Sequence, residues 1–102
     1  MAMMIFSMEG KREIDYSVKF KRDYRKSEKQ GKNMALLLRV IGMLANDEPL
    51  PARYRDHALS GNWAGHRECH VMPDWLLIYK KSDDGKLELM LMRLGSHSEL
   101  RF

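Results

Sequence analysis

Residues 75–94 read WLLIYKKSDDGKLELMLMRL, and the fold follows from them. Trp75-Leu76-Leu77-Ile78-Tyr79 is apolar at every position. A strand with one wet face alternates apolar and polar side chains. A run without alternation is covered on both faces, so it predicts a central strand. Ser82-Asp83-Asp84-Gly85 supplies turn residues for a hairpin loop. Leu87 to Leu94 then returns as the next strand, antiparallel to the first.

Outward from this hairpin, His66 to Val71 reads as a further strand, interrupted at Pro73, after the turn-like Gly61-Asn62-Trp63-Ala64-Gly65. Upstream lies the clearest helix. Met34, Leu37, Leu38, Ile41, Leu44 and Ala45 recur at helical spacing. Asn46-Asp47 closes this helix, and Pro49 and Pro51 forbid its continuation. Val18 to Gln30 predicts an earlier helix, capped by Ser17 and ended by Gly31, with Phe20 and Tyr24 as a narrow apolar stripe. Arg12 to Tyr16 carries the alternation of a short strand. The order is β-α-α-β-β-β. It predicts an α+β domain: an antiparallel two-helix hairpin packed on a small, mainly antiparallel sheet.

The chain has 102 residues, enough for one domain over 1–102, with residues 1–10 as a poorly specified lead-in. At 44% hydrophobic and 31% charged residues, it is globular rather than disordered. No apolar run approaches the roughly 18 residues of a membrane span. The first residues lack the apolar core of a secretory signal. No Gly-rich nucleotide loop and no calcium loop is present. The single cysteine, Cys69, excludes an intramolecular disulfide and suits a reducing cytosol. A thiol nucleophile beside His66 or His70 is the alternative reading of that residue.

Charge is unevenly distributed. From Val18 to Lys32 the chain carries Lys19, Lys21, Arg22, Arg25, Lys26, Lys29 and Lys32 against Asp23 and Glu28. That is a net +5, more than the +4 of the whole molecule. Such a block is either a solvated helix face or a docking face for a polyanion.

Four histidines stand in the chain. One taken alone is more often a surface or capping residue than a catalytic one. However, His57 precedes the sheet, His70 ends a strand and His97 follows the last strand, so the predicted pairing lets them converge. Histidine titrates nearest neutrality, so such a cluster with a carboxylate can both give and take protons at pH 7. Three histidines and Asp74 can also ligate zinc in principle, although their spacing matches no common zinc pattern.

The blocks Asp56-His57-Ala58-Leu59-Ser60-Gly61-Asn62-Trp63, Arg67-Glu68-Cys69-His70, Pro73-Asp74-Trp75-Leu76-Leu77-Ile78-Tyr79 and Arg93-Leu94-Gly95-Ser96-His97-Ser98-Glu99-Leu100, in that order, resemble the YafQ-like branch of the RelE/ParE toxin superfamily. The resemblance runs from about Ile14 to the C-terminus. It implies the toxin half of a bacterial type II toxin–antitoxin pair, an endoribonuclease that cuts mRNA in the ribosomal A site. Its implied partners are an antitoxin, the mRNA and ribosomal RNA, with operator DNA met only through the antitoxin complex and no membrane. The positions that match the family's functional residues are His57, His70, Asp74 and His97, with Trp75 beside the site and Arg93 near the phosphate. The family's terminal aromatic corresponds to Phe102, here displaced by Arg101, whose guanidinium plane can also stack on a base.

RNA carries its own nucleophile, the 2′-OH, so cutting it requires a base, an acid and cations around the phosphorus, and no metal or other cofactor. Arg67 and Arg93 are candidate cations, since a guanidinium matches paired phosphate oxygens; for Arg67 a salt bridge to a neighbouring acid is an equal alternative. With an RNA partner, Lys19, Lys21, Arg22, Arg25, Lys26 and Lys29 become candidates for holding ribosomal RNA phosphates. Two other readings are a gyrase-poisoning ParE-like toxin, which lacks the histidine set, and a non-catalytic basic module that binds RNA or protein.

Overall fold

A computed structural model describes residues 10–100. The lead-in before Gly10, and Arg101 and Phe102, lie outside the described residues. Five strands form one sheet: β1 (Glu13–Tyr16), β2 (His57–Ala58), β3 (Arg67–Met72), β4 (Trp75–Ser82) and β5 (Glu88–Gly95). Three helices accompany it: α1 (Val18–Lys29), α2 (Met34–Ala45) and the single turn α3 (His97–Leu100). The strand order is β1-β5-β4-β3-β2. β1 runs parallel to β5 and every other pair is antiparallel.

The helix ends follow from local chemistry. Ser17 Oγ accepts the Phe20 N–H at 2.9 Å and Asn33 Oδ1 accepts the Leu36 N–H at 3.1 Å, so each long helix has a side-chain N-cap. Gly31, just past α1, has φ +76°, the left-handed conformation glycine adopts without a Cβ clash. The expected helix and strand bounds hold to within two residues, except that β4 extends to Ser82. Two small elements were not expected: β2, a two-residue edge strand, and α3. Neither is long enough to show a period.

The central-strand reading holds. Trp75 to Tyr79 is at most 1% exposed throughout, because β4 is covered on both faces. On one face Trp75, Leu77 and Tyr79 meet Phe20, Tyr24, Leu37 and Ile41 of the two long helices. On the other, Leu76 and Ile78 pack with Leu100, Leu59 and Trp63. The face away from the long helices is thus partly covered by α3 and by the loop after β2. Parity therefore separates two sets of side chains on β3. Arg67, Cys69 and Val71 face the long helices, and Glu68 and His70 face the other side.

Arg12 ties the sheet's far end together. Its guanidinium donates to Asp47 Oδ1 at 2.7 Å, Asp83 Oδ1 at 2.8 Å, the Glu88 carbonyl at 3.1 Å and the Ser82 carbonyl at 3.3 Å. Arg12, together with Lys81, holds the Asp47 carboxyl down to about 2. A carboxyl depressed in the folded state stabilises the fold above its ordinary range and loses that contribution as pH falls towards the folded value. Stability in urea is expected to drop between roughly pH 5 and pH 2, and Asp47→Asn should flatten that drop. An identical pH profile for the variant would remove Asp47 from the explanation.

Candidate active site

The site is built on β3 and its neighbours, on the face away from the long helices. β2 pairs with β3 so that His57 stands opposite Glu68. Just before it, Arg55 adopts the left-handed conformation, φ +48°. The Arg55 carbonyl then lies 2.7 Å from His57 Nδ1. A carbonyl only accepts, so Nδ1 carries a proton and Nε2 is the nitrogen turned to the site.

Glu68, 5% exposed, sits between two rings. Its Oε1 lies 3.3 Å from His57 Nε2 and 3.4 Å from His70 Nε2. His70 follows two residues along the same strand, and the β3–β4 register shifts between His70 and Met72. Such an irregularity re-aims side chains and recurs beside active sites.

The third ring arrives from the far side of the sheet. Asp74, in the tight β3–β4 turn, accepts from both the backbone N–H of His97 at 2.9 Å and its Nδ1 at 2.6 Å. These two bonds, the backbone one first, lower the Asp74 carboxyl below its usual range. With Nδ1 bound, Nε2 of His97 has no hydrogen-bond partner among the described residues. The ring centroids of His57 and His70 are 6.2 Å apart and those of His70 and His97 are 5.6 Å apart. The four residues singled out as proton-transfer candidates, His57, His70, Asp74 and His97, thus form one row, with Glu68 bridging His57 and His70 and Asp74 at the His97 end.

A capping box fixes α3, which carries His97. Ser96 Oγ accepts the Glu99 N–H at 3.1 Å, and Glu99 Oε1 accepts the Ser96 N–H at 2.8 Å. Glu99 Oε2 pairs with Lys26 of α1 at 2.8 Å. Lys26 is the largest cause of the Glu99 carboxyl being held at about 2. Gly95 leaves room for this arrangement, since a Cβ there would lie 3.0 Å from Glu99 Oε1 and press on the capping box.

Several expected site residues are placed elsewhere. Trp75 does not face RNA: it is 1% exposed and its indole N–H donates to Ser27 Oγ at 3.0 Å. Its parity with Leu77 and Tyr79 turns the ring to the long helices. Arg93 is held by Asp23 of α1, Nε to Oδ2 at 2.7 Å and Nη2 to Oδ1 at 3.3 Å. Arg67 points to the helix face, where Asp56 Oδ1 accepts from its Nε at 3.3 Å and from the Tyr79 hydroxyl at 2.6 Å. The salt bridge weighed for Arg67 is present. Lys26 is engaged by Glu99 rather than presented to a phosphate. Lys19, Arg22, Arg25 and Lys29 are exposed along α1, and Lys21 is half-buried. Cys69 is fully buried and its thiol is pushed up by that burial, which removes the thiol-nucleophile reading. His66 stands apart, its ring edge-on to Trp63.

Sequence reasoning missed Glu68, although the signal was present: residues two apart on a strand share a face, so Glu68 must accompany His70. Among the described residues, no three His, Cys, Asp or Glu side chains are disposed to hold a metal ion. No helix among them is long and apolar enough to cross a membrane.

Residues 12–102 match the sequence model of a family described as the bacterial toxin of the type II toxin–antitoxin system, YafQ. The mRNA interferase toxin YafQ of Escherichia coli strain K12 is 44% identical over 90 residues, covering 87% of this chain and 95% of that protein. YafQ in the crystal structure of the E. coli DinJ–YafQ toxin–antitoxin complex superposes with a TM-score of 0.81 at 42% identity, covering 90% of this chain and 99% of that one. A metal-bound toxin from Helicobacter pylori superposes with a TM-score of 0.79 at 45% identity, covering 85% and 96%.

Proposed function

The chain belongs to the YafQ family of type II toxin–antitoxin toxins, mRNA interferases and hence endoribonucleases, and from that premise we propose that it cuts mRNA on the translating ribosome, without a metal, by attack of the RNA's own 2′-OH. The observation that carries the chemistry is the row of His57, His70 and His97, with Glu68 bridging the first two and Asp74 bound to the third. A base in this row takes the 2′-OH proton. The 2′-oxygen bonds to the adjacent phosphorus and the bond from phosphorus to the 5′-oxygen breaks. An acid in the row returns a proton to that oxygen, leaving a 2′,3′-cyclic phosphate and a free 5′-OH. Asp74 fixes the orientation of His97, much as a buried carboxylate orients a catalytic histidine elsewhere.

The exposed cations of α1, Lys19, Arg22, Arg25 and Lys29, with the half-buried Lys21, lie on the helix side of the sheet. There they can hold ribosomal RNA by its phosphates while the histidine face meets the message. A cognate antitoxin encoded with the toxin is the neutralising partner, as DinJ is found in complex with YafQ of E. coli. The translated substrate places the reaction in the cytoplasm.

The test is cleavage of one mRNA with and without ribosomes, using toxin first stripped by EDTA and then moved into a translation mixture containing only magnesium. Cleavage is expected with ribosomes alone and at the untreated rate. Equal cleavage of naked mRNA would remove the ribosome from the proposal. Loss of activity restored by zinc or copper would replace the metal-free mechanism.

A further inference from the structure

A groove of about 520 Å³ opens from His70 at the sheet edge, between α2 and the turn at Ala52–Tyr54; among its lining residues are Leu36, Arg53, Arg55, Met72 and Pro73. We propose that this groove is the subsite for a nucleotide flanking the cut phosphate, with Arg55 as its phosphate contact and Arg53 as its base contact. This rests on the endoribonuclease reading and extends it along the RNA strand.

Three observations favour a single-stranded RNA as the occupant. The first is charge. No carboxylate lines the groove, and neither arginine has an acidic partner among the described residues. The other arginines near the sheet are committed: Arg12 to Asp47, Arg67 to Asp56, Arg93 to Asp23. Two uncompensated guanidinium groups in one concavity attract a phosphodiester and match its paired oxygens.

The second is shape. The Arg53 guanidinium lies 4.7 Å from the centroid of the Tyr54 ring, and its Nη2 donates to the Tyr54 hydroxyl at 3.0 Å. The buried ring holds that plane in place. A guanidinium plane, with the apolar walls of Leu36, Met72 and Pro73, accepts the face of a base without reading its edge.

The third is continuity with the proposed chemistry. His70 belongs both to the histidine row and to the groove wall. Arg55 gives its carbonyl to His57 and its side chain to the groove. A strand whose scissile phosphate lies at the histidines therefore passes directly onto the two arginines.

The experiment measures affinity for a short, single-stranded, 2′-O-methylated RNA of mixed sequence across salt concentrations. The proteins are the wild type, Arg53→Gln, Arg55→Gln, the double variant and Arg55→Lys. Each Gln variant is expected to weaken binding on the order of tenfold. The double variant should lower the salt slope by about 0.7, for the one phosphate contact that Arg55 makes while Arg53 stacks on the base. Arg55→Lys keeps the charge and should keep the slope. Unchanged affinity and slope in the double variant would overturn the subsite. So would unchanged RNA binding accompanied by lost affinity for the antitoxin, which would assign the groove to that protein. His97→Ala, assayed alongside for cleavage, tests the endoribonuclease reading separately, so failure of one does not stand for failure of the other.

Discussion

His97→Ala is expected to slow single-turnover cleavage of translated mRNA by about a hundredfold or more, the usual contribution of one proton-transfer partner, and to abolish growth inhibition. The ring is 55% exposed, so the fold should survive its removal. Its Nδ1 is bound by Asp74 and its Nε2 has no hydrogen-bond partner among the described residues, which is the arrangement of a histidine that exchanges a proton with substrate. Asp74→Asn then has a defined meaning. An amide can place either its oxygen or its NH2 against Nδ1. The NH2 would force the tautomer with the proton on Nε2. Loss in both variants, with ribosome affinity and urea stability retained, assigns the His97–Asp74 pair to chemistry. Wild-type cleavage by His97→Ala would end that assignment.

Glu68→Gln carries the second large expectation, a loss on the order of ten- to a hundredfold in cleavage rate. The substitution is isosteric, so packing changes little. What changes is the proton bookkeeping between two rings. A carboxylate oxygen can receive an N–H from either His57 or His70. Both rings approach the same oxygen, Oε1; a glutamine sets there either a neutral oxygen, which accepts without the carboxylate's charge, or its NH2, which requires ring nitrogens that carry a lone pair. His57 has little freedom to adapt, because its Nδ1 proton is fixed by the Arg55 carbonyl. The pH–rate profile of Glu68→Gln is therefore expected to differ in shape from the wild type as well as in height. A variant with the same profile and rate would make Glu68 a packing residue.

The fold was legible because its decisive elements are long and periodic. The uninterrupted apolar run at Trp75–Tyr79 demands a strand covered twice, and the helical spacing from Met34 to Ala45 admits no other structure. What escaped was short or depended on parity. β2 has two residues and α3 one turn, and their stability comes from pairing to β3 and from the Ser96–Glu99 capping box rather than from any local period. The convergence of His57, His70, Asp74 and His97 could be anticipated from strand order. Which face each neighbour takes could not, because a one-residue change in register exchanges the two faces. Trp75, set beside the site, and Arg67, for which a phosphate contact and a salt bridge stood as equal readings, are both turned to the helices. Arg93 met an acid, Asp23, separated from it by 70 residues in sequence. Lys26 belongs to the positioning of α3 through Glu99, a contact between elements that no local pattern announces.

The most direct test of cleavage by the RNA's own hydroxyl is a translated mRNA carrying a single 2′-deoxynucleotide immediately 5′ of the scissile phosphate. Cleavage at that bond should disappear while neighbouring sites remain susceptible, and the unmodified message should yield a 2′,3′-cyclic phosphate end. Undiminished cleavage of the deoxy-substituted bond would mean that water or an enzyme nucleophile attacks the phosphorus, and the histidine row would not be doing the chemistry assigned to it.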